Sequence, residues 1–160
     1  MDEQLSAPST QYLTFLLDDE VFAVDISKIR EVLEYTSVTK VPRTPRFMRG
    51  VINLRGSVVP VVDMRAKFQM PSTEKTVNTC IIILEVATEE GMTVMGALAD
   101  SVQEVMELGP GQIEPPPKIG TRLRSDFLIG MGKHDGRFIM ILDIDKIFSA
   151  DELSQVQNAA

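Results

Sequence analysis

The chain repeats itself. Residues 47–68, FMRGVINLRGSVVPVVDMRAKF, align without a gap with residues 127–148, FLIGMGKHDGRFIMILDIDKIF. Phe47 meets Phe127, Gly50 meets Gly130, Gly56 meets Gly136, Asp63 meets Asp143 and Phe68 meets Phe148. Upstream, VFAVDISKIREV (21–32) lies over VMGALADSVQEV (94–105), with Val21, Glu31 and Val32 over Val94, Glu104 and Val105. A duplication of this kind restricts the fold to two copies of one small unit. The unit is made of strands. YLTFLL (12–17), VFAVDI (21–26), VINL (51–54), SVVPVVDM (57–64), CIIILEVA (80–87), TVMGALA (93–99) and FIMILDI (138–144) are apolar runs of strand length. Val, Ile, Phe and Thr dominate them, and DDE, TEEG and KHDG punctuate them as turns. Many short strands with few helical periods read as small barrels. A barrel of about 70 residues has a thin core, so the halves are expected to share one.

This predicts a mostly β chain of two tandem five-stranded barrels sharing an apolar core, with short helices and a C-terminal helix. A flexible tail is expected over 1–11, one domain over 12–148, and a helix or tail over 149–160. Within the domain, the first barrel spans about 12–70 and the second about 77–148, either contiguous or with strands exchanged between them, joined near QMPSTEKTVN (69–78). DISKIREV (25–32) carries Ile26, Ile29 and Val32 at a spacing of three, which predicts one or two helical turns with one apolar face. Ser149 three residues before Glu152 is a capping-box signature. Two long connectors, 38–50 and 108–127, hold most of the prolines and are candidate functional loops.

The net charge of −7 argues against a nucleic-acid partner, and no tryptophan is present to stack on bases. Charge is uneven, however: Lys40, Arg43, Arg46, Arg49, Arg55, Arg65 and Lys67 face only Asp63 within residues 40–67. Such a cluster is either a solvated face or a docking surface for an acidic partner. The acidic start MDEQLSAPST lacks secretory features, and no apolar run reaches membrane-spanning length. With Cys80 as the one cysteine, the cytoplasm is the expected compartment, without membrane insertion. Nothing resembles an active site. His134 sits in a turn, Cys80 reads as a buried small hydrophobe, and Asp63 and Asp143 hold matched positions that suit capping. No metal or cofactor is expected, and no catalytic residue is assigned.

The repeat supplies an internal control for one residue. Gly56 and Gly136 hold the same turn, which calls for positive φ. The residue before each is Arg55 in one half and Asp135 in the other. The fold therefore does not demand a cation there. The candidate partner of Arg55 is Glu31, through a bidentate guanidinium–carboxylate contact. The matching Glu104 leaves open a structural role for that glutamate.

FMRGVINLRGSVVPVVDMR, preceded by AVDISKIREV and followed by FIMILDIDKIF, strongly resembles the CheW family of bacterial chemotaxis coupling proteins, from about Tyr12 to Phe148. The resemblance implies two SH3-like barrels and a non-enzymatic adaptor role. The implied partners are the cytoplasmic tip of transmembrane chemoreceptors and the CheW-like regulatory domain of the histidine kinase CheA, so that the protein is recruited to membrane-associated receptor arrays. The family's glutamate–arginine pair falls on Glu31 and Arg55. A receptor-facing groove between the barrels falls on Ile26, Ile29 and Val32 beside Asn53, Leu54 and Gly56. The implied kinase contacts fall on Val38 and Val41 of the first connector and on Phe127 of the second barrel.

Overall fold

The computed structural model describes residues 9–68, 70–71, 75–88, 91–115 and 127–148. The expected C-terminal helix at 149–157 and the first eight residues of the N-terminal tail lie outside the described residues. Among the described residues, β1 covers Thr10–Leu17, two residues ahead of the expected Tyr12, and turns tightly into β2, Glu20–Asp25. β3 follows at Ile29–Glu34, then the hairpin β4 (Met48–Leu54) and β5 (Ser57–Asp63), closed by the four-residue helix α1, Met64–Lys67. The second half repeats this order: β6 (Cys80–Thr88), β7 (Gly91–Ala99), β8 (Ser101–Leu108), a two-residue β9 (Ile113–Glu114), β10 (Leu128–His134), β11 (Arg137–Leu142) and α2, Ile144–Ile147.

The strands form two sheets, in the orders β8-β1-β2-β11-β10-β9 and β3-β6-β7-β5-β4. The two orders are the same once each strand is replaced by its repeat partner. Val61 pairs with Gly96 in the parallel β5–β7 contact, and Ile141 pairs with Ala23 in the matching β11–β2 contact. The place of β9 is taken in the other sheet by the bridge from Thr39 to Val51. Each barrel therefore takes its first hairpin from the other half of the chain: β1–β2 sit with β8–β11, and β6–β7 with β3–β5. A cut between residues 70 and 77 does not separate the barrels.

This exchange explains why the hairpin strands have no clean polar alternation. Ile81 and Ile83 fill the interior of one barrel with Ile52, Val59, Val61 and Leu98. Tyr12 and Ala23 fill the other with Leu108, Ile139 and Ile141. The intervening residues point the opposite way. Leu13, Phe15, Phe22, Val24, Ile82, Leu84, Val86, Met95 and Ala97 build a third core between the barrels, the largest of the three. Strands buried on both faces read as continuous apolar runs. Phe15 stacks on Phe22, Phe22 on Phe68, and Phe68 meets Phe127, with ring centroids 5.8–6.2 Å apart.

Two expectations need correction. DISKIREV holds only a three-residue 3-10 turn, Ile26–Lys28, capped by Asp25 through the Ser27 amide (2.9 Å), and then becomes strand. Three residues are too few to nucleate an α-helix, whereas β6 offers β3 a full ladder. Cys80 is half-buried, and its Sγ donates to the Asn78 carbonyl (3.1 Å). The aspartates do cap: Asp63 accepts the Arg65 and Ala66 amides ahead of α1, and Asp143 accepts the Lys146 amide in α2.

Candidate functional site

The site is assembled where two elements of one barrel meet. β3 and β4 are the outer strands of the five-stranded sheet. A bulge in β3 inserts Arg30 between Ile29, opposite Leu84, and Glu31, opposite Ile83. Bulges re-aim side chains. Along the strand, Ile29, Glu31 and Leu33 are half-buried, while Arg30, Val32 and Glu34 are exposed. On the other side, β4 and β5 are joined by the two-residue turn Arg55–Gly56, both at positive φ (50° and 88°). This is the sense of twist that a two-residue hairpin requires. Asn53 holds the turn, its Oδ1 accepting the Gly56 amide at 2.8 Å.

Arg55 reaches from this tip to Glu31. Its Nη1 donates to Oε1 at 3.2 Å and its Nη2 to Oε2, so the contact is bidentate and joins the sheet's two outer strands. The hydrogen bond from Arg55 holds the Glu31 carboxyl below its ordinary value, and the same bond raises the Arg55 guanidinium. Arginine in this backbone region is disfavoured, because its Cβ crowds the following carbonyl. Asp135, the matched residue in the other barrel, occupies the same region (φ 52°) as a type that tolerates it better. The first barrel thus carries the less suited residue and uses its charge.

Next to the pair opens a cavity of about 640 Å³, lined by Arg30, Val41, Leu54, Arg55, Val58 and Met92 among others. Val58 is 73 % exposed and Met92 59 %. Neither was singled out in the sequence. Each follows a turn glycine closely, at 56 and 91, but that position alone does not say whether an apolar side chain is covered.

The expected receptor residues separate into groups. Glu31, Asn53, Arg55 and Gly56 come together at the hairpin tip. Leu54 is partly buried against the barrel interior. Ile26 and Val32 are exposed, at 38 % and 40 %. Ile29 is half-buried and packs on the core between the barrels while Val32 is exposed, since a spacing of three does not keep residues on one side of a strand. Among the expected kinase contacts, Val41 lines the cavity, and Val38 packs on the barrel interior beside Gly50. A Cβ on Gly50 (φ 148°) would lie 2.2 Å from the Thr39 carbonyl oxygen, so glycine is what lets this connector cross β4. Phe127, the third expected kinase contact, is 8 % exposed. Its ring is buried against Phe68, leaving little side chain for a partner; the exposed apolar residue of that segment is Ile129, 51 % accessible.

The basic stretch divides likewise. Lys40, Arg43 and Arg46 are exposed on the first connector. Lys67 lies 4.5 Å from the Phe47 ring centroid. Arg65 is buried and grips Asp100 through Nε and Nη2 (2.9 and 2.5 Å), with Nη1 on the Pro71 carbonyl (2.7 Å). Burial lifts the Asp100 carboxyl, but the Arg65 and Asp18 amide hydrogen bonds outweigh it and hold it below its ordinary value. Among the described residues, no group of three His, Cys, Asp or Glu side chains could hold a metal ion, and no helix is long and apolar enough to cross a membrane.

The family model for the CheW-like domain matches residues 11–152. The chain belongs to the CheW family. It is 36 % identical to the chemotaxis protein CheW of Klebsiella aerogenes over 150 residues, covering 94 % of this chain and 88 % of that one. It is 32 % identical to the chemotaxis protein CheW of Rhizobium meliloti, with 94 % of each chain covered. The crystal structure of the scaffolding protein TtCheW from Thermoanaerobacter tengcongensis superposes with a TM-score of 0.81 at 33 % identity, covering 90 % of each chain. The CheW-like architecture of this chain is therefore the pair of SH3-like barrels described above, and the Glu31–Arg55 contact sits on the barrel built from β3–β7.

Proposed function

We propose that this CheW-family chain is a non-enzymatic chemotaxis adaptor. It couples the cytoplasmic tip of transmembrane chemoreceptors to the histidine kinase CheA and passes receptor control to that kinase. It works in the cytoplasm, held at membrane-associated receptor arrays. The receptor face is the surface around Glu31 and Arg55, with Ile26, Val32, Asn53, Leu54 and Gly56. The kinase's CheW-like domain docks by the first connector, at Val41 with Val38 behind it, and by the corresponding end of the second barrel. The observation that carries the assignment of the face is Arg55 itself. A turn that accepts aspartate in one barrel holds a conformationally disfavoured arginine in the other, locked to Glu31 beside an apolar cavity.

The test is co-sedimentation with receptor-bearing membranes and CheA, using the wild-type chain and Arg55→Glu. The expected outcome is a folded variant by circular dichroism that binds CheA normally but loses receptor-coupled control of its autophosphorylation. Full coupling by the folded variant would remove Arg55 from the face. Failure of the wild-type chain to sediment with either partner would remove the adaptor assignment.

A further inference from the structure

The two repeats build matched cross-links between the barrels, and the links are unequal. Arg65 and Asp145 are each the second residue of the short helix that closes a repeat. Each reaches the connection that follows an exchanged hairpin. Arg65 takes Asp100, between β7 and β8, while Asp145 takes Lys28, between β2 and β3 (Nζ–Oδ2 3.0 Å). Each link also collects one amide from the hairpin of the opposite sheet or its turn: Asp18 donates to Asp100 (2.7 Å), and Ala87 donates to Asp145 (2.9 Å). The signs are reversed between them, with the cation on the helix in one link and the anion in the other.

Their strengths differ for a physical reason. Arg65 is 8 % exposed and uses its planar fork on three acceptors: both Asp100 oxygens and the Pro71 carbonyl. The Asp100 amide adds a bond to the Leu16 carbonyl (2.9 Å). Lys28 makes a single-point contact, and both its side chain and that of Asp145 are about one-third exposed (34 % and 33 %). Such a contact is weak and screened by salt; Asp100 is as exposed as Asp145 (33 %), but its partner is a buried guanidinium held at three acceptors, so the Arg65 link is the stronger and the less screened of the two.

The geometry points to a hinge and a latch: the seam between the barrels pivots at Arg65–Asp100 and opens first at Lys28–Asp145. Lys28 shares its turn with Ile26, so a partner seated there is linked to the state of the latch. That consequence alone rests on the receptor reading; the latch is a property of the free chain.

Native-state hydrogen exchange on the isolated protein tests it, comparing wild type, Lys28→Gln and Asp145→Asn. Peptides covering 86–88 and 144–148 should exchange about two- to fivefold faster in both variants, while those covering 16–18 and 100–101 keep their rates. Raising wild-type ionic strength to about 0.5 M should reproduce the selective change. Equal acceleration on both sides of the seam, or none on either side, would overturn the proposal. Binding of receptor or kinase does not enter these measurements, so failure here leaves the adaptor assignment untouched.

Discussion

At the scale of single residues, Arg55 separates what the backbone prefers from what the surface uses. Replacing it with Asn, which suits positive φ, should leave Tm equal to or above the wild-type value in calorimetry. The same substitution should return the Glu31 carboxyl to its ordinary range in an NMR titration, because the lowering comes chiefly from the Arg55 hydrogen bond. A folded-state pKa below the unfolded one means that this contribution is present at neutral pH and disappears as pH falls through the folded value. A clear drop in Tm, or an unmoved Glu31, would contradict this account. Ile29→Asp tests another residue: a carboxylate placed on the core between the barrels should cost about 2–4 kcal/mol in denaturant unfolding. An unchanged midpoint would return Ile29 to the surface. Arg55 was legible in the sequence because the repeat supplied a comparison residue. Val58 and Met92 were not, since nothing in an apolar residue's type says whether the strand end carrying it is covered.

At the scale of elements, short helices and turns act as fasteners. α1 is too short to be stable by itself, yet Asp63 caps it and Arg65 ties it across the seam. Arg65→Met should cost about 2–3 kcal/mol at pH 7, mostly because Asp100 is left half-buried without its cation. Asp100 titrates below its ordinary value in the folded chain, so the pair's contribution is whole above the unfolded pKa and lost as pH falls through the folded one. The stability gap between variant and wild type should therefore narrow with acidification, as measured by urea unfolding from pH 7 to about pH 3. A constant gap would locate the loss in packing. The caps on α1 and α2 were visible as matched aspartates. The misreading of DISKIREV shows the limit of periodicity: eight residues with apolar side chains three apart fit a helical turn and also a strand with a bulge, and the choice fell to β6, which lies some fifty residues away.

At the scale of the whole molecule, the exchange of hairpins makes the halves interdependent. Fragments 1–75 and 76–160 should each lack cooperative unfolding, since each holds a hairpin that belongs to the other's barrel. Mixed together, they should recover the native circular dichroism spectrum. A fragment that folds alone with near-native thermal stability would show that the barrels are separable. The sequence by itself determined that there are two copies of one strand-rich unit, that glycines 50, 56, 130 and 136 mark matched places, and that Arg55 departs from its copy. These follow from residue type and spacing, which are local properties. Only the tertiary structure decided which hairpin completes which barrel, because both halves present the same pairing surface and register alone does not choose between them. It also decided that Arg65 is buried while Lys40, Arg43 and Arg46 are exposed, because burial depends on what the rest of the chain brings alongside.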